Sequence, residues 1–335
     1  MVAWKRIILL SLAVIGIGFN VSRGEDEPTE SKAYKDCREA VVAGDVEALK
    51  KLIHEHPKVV TETSAHGDTL LHLVAVYSIR RTEGHAEIAD ALIEAGAAVN
   101  AFNRAGCTPL HEAANTRSVA ICTSLLRGGA DLRVHKKVPG LEKLPAESQH
   151  PEDGDTPIDV ASYRGFAFLV EKLLAAKVPI EYPETQRLKG FPPVKDSALH
   201  FACRNCVYSK TSPARREEAC KTIDLLSAKI SDVNLKNLEG RSPLLVCADW
   251  GAPVLIEHLL TNHPKVKIDF QDTLGNTALH LALDGKATSE LSVEVVQTLL
   301  KHGADKNIKN ASGETPLDLA RSKGNQAAIS LLAKE

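Results

Sequence analysis

Gly275-Asn276-Thr277-Ala278-Leu279-His280 and, 38 residues on, Gly313-Glu314-Thr315-Pro316-Leu317-Asp318 are two writings of one phrase. Five more occur upstream: Thr69-Leu70-Leu71-His72, Thr108-Pro109-Leu110-His111, Thr156-Pro157-Ile158-Asp159, Ser197-Ala198-Leu199-His200 and Ser242-Pro243-Leu244-Leu245. All but the phrase at Ser197 begin two residues after a glycine; that one follows Asp196. A phrase recurring every few tens of residues marks stacked supersecondary units, each unable to bury its apolar side alone.

The residue types fit a turn that opens a helix. Pro109, Pro157, Pro243 and Pro316 fall in a first helical turn, where a missing N–H costs nothing. The preceding Thr or Ser is placed to cap that helix. Small residues follow, as in Ala113-Ala114 and Ala202-Cys203, so that neighbouring helices can approach closely. A second helix is predicted from apolar spacing such as Ile121, Cys122, Leu125 and Leu126. Gly96, Gly129 and Gly303 are placed to end it in the left-handed region.

Phrase and second half together resemble the ankyrin repeat, from about residue 33 to 335. The resemblance implies an all-α solenoid of about eight helix-turn-helix units joined by β-hairpin fingers, counting a less typical first unit around Cys37, Val41, Leu49 and Ile53. Spacings of 35 to 48 residues between successive turn glycines exceed the family period of about 33, so the surplus belongs in loops. Two surplus stretches, 132–153 and 178–195, are rich in proline and glycine and are expected as elongated fingers flanking a recognition notch. A tolerated surface insertion is the plainer alternative.

Residues 1–24 are expected to be a signal peptide. Lys5-Arg6 precede an uncharged run from Ile7 to Phe19, and Ser22 and Gly24 supply small residues for cleavage. The run is short for a bilayer span of about 20 residues, though an uncleaved anchor is the alternative. Residues 25–32 read as a flexible acidic lead-in. Without the leader the chain carries 38 basic and 43 acidic residues, a poor balance for binding nucleic acid. No later stretch is apolar enough to span a membrane, so a secreted or periplasmic monomer is expected.

No Gly-x-Ser-x-Gly, phosphate loop or dinucleotide glycine pattern occurs, so no catalytic residue, cofactor or metal ligand is assigned. His72, His111, His200 and His280 hold one equivalent position and are read as structural hydrogen-bond formers between units. Seven cysteines lie in the mature part, and Cys206 and Cys220 bracket an inserted loop that a disulfide could close. Asn310-Ala311-Ser312 fits a glycosylation acceptor in a finger position.

In the family, partners lie along the concave side. Carried over, the resemblance implies a partner-binding row of Tyr77, Asn115, Tyr163, Arg164, Arg204, Asn205, Asp249 and Trp250. Packing on the next unit is the alternative for Tyr163 and Trp250. The function expected is therefore non-enzymatic protein binding. A second reading gives Cys203, Cys206 and Cys220 a thiol-based redox or ligand-binding role protecting an exported enzyme, and a third makes the chain an inert envelope component.

Overall fold

The computed structural model describes residues 30–79, 83–137, 155–181, 196–204, 212–285 and 288–334. The expected signal peptide, most of the lead-in, the outer parts of both long fingers, Asn205 and Cys206 lie outside the described residues. Within them the chain forms sixteen α-helices in eight consecutive pairs. The first four pairs are α1 (Lys32–Ala43) with α2 (Val46–Glu55), α3 (Leu70–Tyr77) with α4 (His85–Glu94), α5 (Pro109–Thr116) with α6 (Val119–Arg127), and α7 (Pro157–Tyr163) with α8 (Ala167–Ala175). The last four are α9 (Ala198–Cys203) with α10 (Pro213–Ser227), α11 (Pro243–Trp250) with α12 (Pro253–Asn262), α13 (Ala278–Asp284) with α14 (Ser289–Lys301), and α15 (Pro316–Ser322) with α16 (Gln326–Leu332).

The first helix of each pair packs on the first helices of the neighbouring pairs, and each second helix on neighbouring second helices. This makes an inner and an outer layer with one continuous core between them. Inner helices approach closely because Ala75, Ala113, Ala161, Ala202, Cys203, Cys247, Ala282 and Ala320 are buried and small. Leu92, Leu125, Leu173, Leu226, Leu259 and Leu299 of the outer layer fill the space behind them. A short 3-10 turn at Pro57–Thr61 joins the first unit to the second and buries Val59 and Val60.

Each phrase opens an inner helix as its residue types dictate. The Thr156 hydroxyl accepts from Asp159 N–H, and Ser197 does the same for His200. Pro109, Pro157, Pro243 and Pro316 take the first helical position. Outer helices end before Gly96, Gly129 and Gly303, all at positive φ, while Lys177 (φ 55) holds the equivalent place after α8.

The fingers differ from the β-hairpins expected. Among the described residues no strand forms, and the fingers are hydrogen-bonded turns such as Asn103 N–H to Cys107 O and Asn310 N–H to Glu314 O. Adjacent tips share a single backbone bond, as in Arg104 N–H to His66 O and Ala311 N–H to Leu274 O. One bond per joint is too few for a ladder. The feet of the two long fingers are tied down by Lys137 N–H to Gly106 O and by Glu181 accepting from Ser231 N–H.

Candidate functional site

The fold turns the phrase histidines into clips between units. In His72 the Nδ1 atom accepts from Thr69 N–H (3.2 Å) and the Thr69 hydroxyl (2.8 Å). That leaves the proton on Nε2, which donates to Cys107 O of the next unit at 2.9 Å. His111, His200 and His280 repeat this toward Asp155 O, Arg241 O and Glu314 O at 3.0 Å. Burial lowers the pKa of all four, and that of His111 to about 4. The sequence reading of these residues as structural therefore agrees with their geometry.

Three joints use something else. In the first unit, which lacks the phrase, the Tyr34 hydroxyl donates to Asp68 O at 2.5 Å. Asp159, in place of the imidazole, caps its own helix by accepting from Thr156 N–H and the Thr156 hydroxyl. Leu245 can accept neither bond, and at that joint Arg241 reaches Asp249 of α11 (3.1 Å) and lies 3.8 Å from Asp272 of the following finger. Both carboxylates are buried, so the guanidinium neutralises charge that water cannot reach.

The inner-helix edge carries the expected partner row. Counting from the Thr or Ser of each phrase, Val76, Asn115, Tyr163, Arg204, Asp249 and Asp284 share one register, and Val42 holds it in the first unit. Tyr77, Arg164 and Trp250 stand one residue further. Tyr77, Asn115, Tyr163, Arg164, Arg204 and Trp250 are half-buried. Several contact one another: Arg164 Nε donates to Asn115 Oδ1 at 2.6 Å, and its guanidinium lies 5.6 Å from the Tyr163 ring. Arg204 lies 5.9 Å from the Trp250 ring and pairs with the buried Asp196. Asp249 is only 4 % exposed and is committed to Arg241. Asn205 lies outside the described residues.

Apolar members of this edge were missed in the sequence. Val42 (42 % exposed), Val76 (40 %) and Ile79 (67 %) face solvent. The register of the phrase was the signal that could have found Val76. The first unit, with no phrase, gave no register for Val42.

Four of the thiols are ill placed for redox chemistry. Burial pushes Cys37 and Cys220 to about 11 and Cys107 and Cys122 to about 12. A thiol held protonated is a poor nucleophile. Cys220 is a free thiol, and its expected partner Cys206 lies outside the described residues. A shallow depression of about 620 Å³ near the C-terminal end is lined by Gln297, Leu300, Lys301, Asp305, Lys306 and Leu331, among others, none a nucleophile paired with a base. No helix among the described residues is long and apolar enough to cross a membrane.

Comparison with known proteins agrees with this architecture. The pattern described as Ankyrin repeats (3 copies) matches residues 38–136, 214–310 and 270–335. Protein fem-1 homolog A-like of Mus musculus is 28 % identical over 188 residues, 54 % of this chain and 25 % of its own length. Ankyrin repeat and KH domain-containing protein mask-1 of Caenorhabditis elegans is 34 % identical over 327 residues, 94 % of this chain and 10 % of its own length. The chain spans a quarter or less of these relatives. The human ASB11 ankyrin repeat domain superposes with a TM-score of 0.55 at 24 % identity, covering 82 % of this chain and 99 % of that one. The matched stretches exceed half of the sequence and span the first three and the last three helix pairs: the chain belongs to the ankyrin-repeat family.

Proposed function

We propose that this chain is a non-enzymatic binding module for another protein, acting as a monomer in an exported compartment. The observation that carries the proposal is the graded inner-helix edge. Val42, Val76 and Ile79 offer exposed apolar surface at one end, and Tyr163, Arg164, Arg204 and Trp250 offer aromatic and cationic groups at mid-stack. Aromatic residues and arginine dominate the energetics of many interfaces. The hydrogen bonds and ring contacts within the row already fix these side chains, so little side-chain entropy remains to be lost on association. The edge suits an extended segment whose apolar residues meet units one and two and whose acidic residues meet units four and five. The charged start, apolar run and small-residue cleavage site of the first 24 residues support export.

Site-specific photo-crosslinking tests the reading. A photoreactive residue in place of Tyr163 should trap one partner in cells that make the chain. The same residue in place of Thr123, exposed on outer helix α6, should trap none. Equal yields from both faces would reject the inner edge as the binding surface.

A further inference from the structure

Three side chains on the outer face converge although they lie up to 39 residues apart in sequence. Asp224 projects from α10, His258 from α12, and His263 caps the end of α12. His258 Nε2 lies 2.8 Å and His263 Nε2 3.0 Å from the same atom, Asp224 Oδ1. Inside a helix, residues five apart do not share a face. His263 does because it leaves the helix (φ −122, ψ 82), which swings its ring back beside His258, with centroids 5.9 Å apart.

We propose that Asp224, His258 and His263 bind one divalent transition-metal ion of the zinc class, clipping the fifth unit to the sixth. The chemistry of the donors carries the proposal. Other inter-unit ion pairs on this face each include a cation that cannot ligate, Arg127 on Asp90 and Lys301 alongside His302 on Glu257. Here all three groups are potential ligands, and their donor atoms lie within 4.8 Å of one another. Tetrahedral zinc with bonds of about 2.0 Å needs donors about 3.3 Å apart, so each Nε2 must withdraw from Oδ1 by a few tenths of an ångström and the two nitrogens, within 4.8 Å of each other, must settle near that same separation. Two imidazoles and one carboxylate suit zinc, copper, nickel or iron and not calcium or magnesium. On binding, each neutral ring changes tautomer by exchange with solvent, Nε2 losing its proton to bind the metal and Nδ1 taking one up. The Asn262 amide, 3.1 Å from His258 Nδ1, is placed to accept that proton's hydrogen bond once it turns its oxygen inward. A fourth position stays open to solvent, since both rings and the carboxylate are partly exposed.

This trio escaped the sequence reading because its members come from two units and a helix end. The inner edge is on the opposite layer, so the site stands independently of the partner proposal.

The test uses the full chain without an affinity tag, reduced, stripped with chelator and titrated calorimetrically with Zn²⁺. One equivalent should bind, Mg²⁺ should not compete, and D224N, H258A and H263A should each weaken binding at least about tenfold. Zn²⁺ should raise the melting temperature of the parent and leave that of H258A unchanged. The Co²⁺ form should show visible bands of nitrogen and oxygen ligation without thiolate charge transfer. Thiols are the competing ligands. No saturable uptake, uptake that survives the H258A/H263A double variant, or uptake lost on alkylating the cysteines would each overturn the site. The three side chains lie at the surface, and circular dichroism of each variant verifies that its fold is intact.

Discussion

A buried imidazole that accepts from its own turn and donates to the next has no room for a second proton. His111 shows the consequence: its pKa stands at about 4 in the folded chain against 6.5 in an open one, with burial as the cause. The unfolded chain therefore binds the proton first as pH falls. The stabilisation is fully present above about pH 6.5 and is lost on the way down to about pH 4, worth about 3 kcal/mol for this residue. His72, His200 and His280 shift in the same direction. Thermal melts should thus fall between about pH 7.5 and about pH 5. His111→Ala should cost about 2 kcal/mol at neutral pH and flatten part of that slope. Asn310 is equally committed: its Oδ1 accepts from Ser312 and Glu314 N–H, and its Nδ2 donates to Asn276 Oδ1 at 3.2 Å. Intact-mass measurement of the chain expressed through a eukaryotic secretory pathway should find no glycan there. The histidine role was legible because four equivalents recur in the phrase. Tyr34 was not, since no phrase in the first unit announces it.

At the scale of the element, the turn glycines do two jobs. Gly275 sits at φ +74, and a Cβ there would stand 2.9 Å from Ala311 N of the next finger. Gly313, at φ +80 in the final finger, would meet nothing within 4 Å. Gly313→Ala should therefore cost only the left-handed backbone term of about 1–2 kcal/mol, and Gly275→Ala clearly more, as chemical denaturation can measure. Lys177 invites the reverse change. It holds the left-handed place that glycine takes after α4, α6 and α14, so Lys177→Gly should stabilise by about 0.5–1 kcal/mol. Helix starts and glycine ends were legible because proline, hydroxyl caps and glycine each have a local physical reason. The fingers were legible in place but not in form, because one backbone bond per joint gives turns and not strands.

Across the whole molecule, each unit leans mainly on its neighbours, so stability is close to a sum over joints. Longer reaches exist: Arg117 of the third unit pairs with Glu218 on the fifteen-residue α10 of the fifth. The joint between units six and seven depends on Arg241. Arg241→Ala would leave Asp249 and Asp272 buried without their cation and should cost about 3 kcal/mol, read as a lower urea midpoint. Solution scattering should report an elongated particle. The partner row was partly legible. Register placed Tyr163, Arg164 and Arg204 on one edge, but Asp249 is turned inward by Arg241, eight positions before it, a pairing no register reveals.

The clips also set where the ribbon yields. Imidazoles hold four of the seven joints, while a phenol serves the first and an arginine the joint after unit six. Mild acid therefore loosens the stack at chosen seams and leaves the rest stitched. Amide exchange in acid should quicken first at the joints after units two, three, five and seven, and only later beside Tyr34.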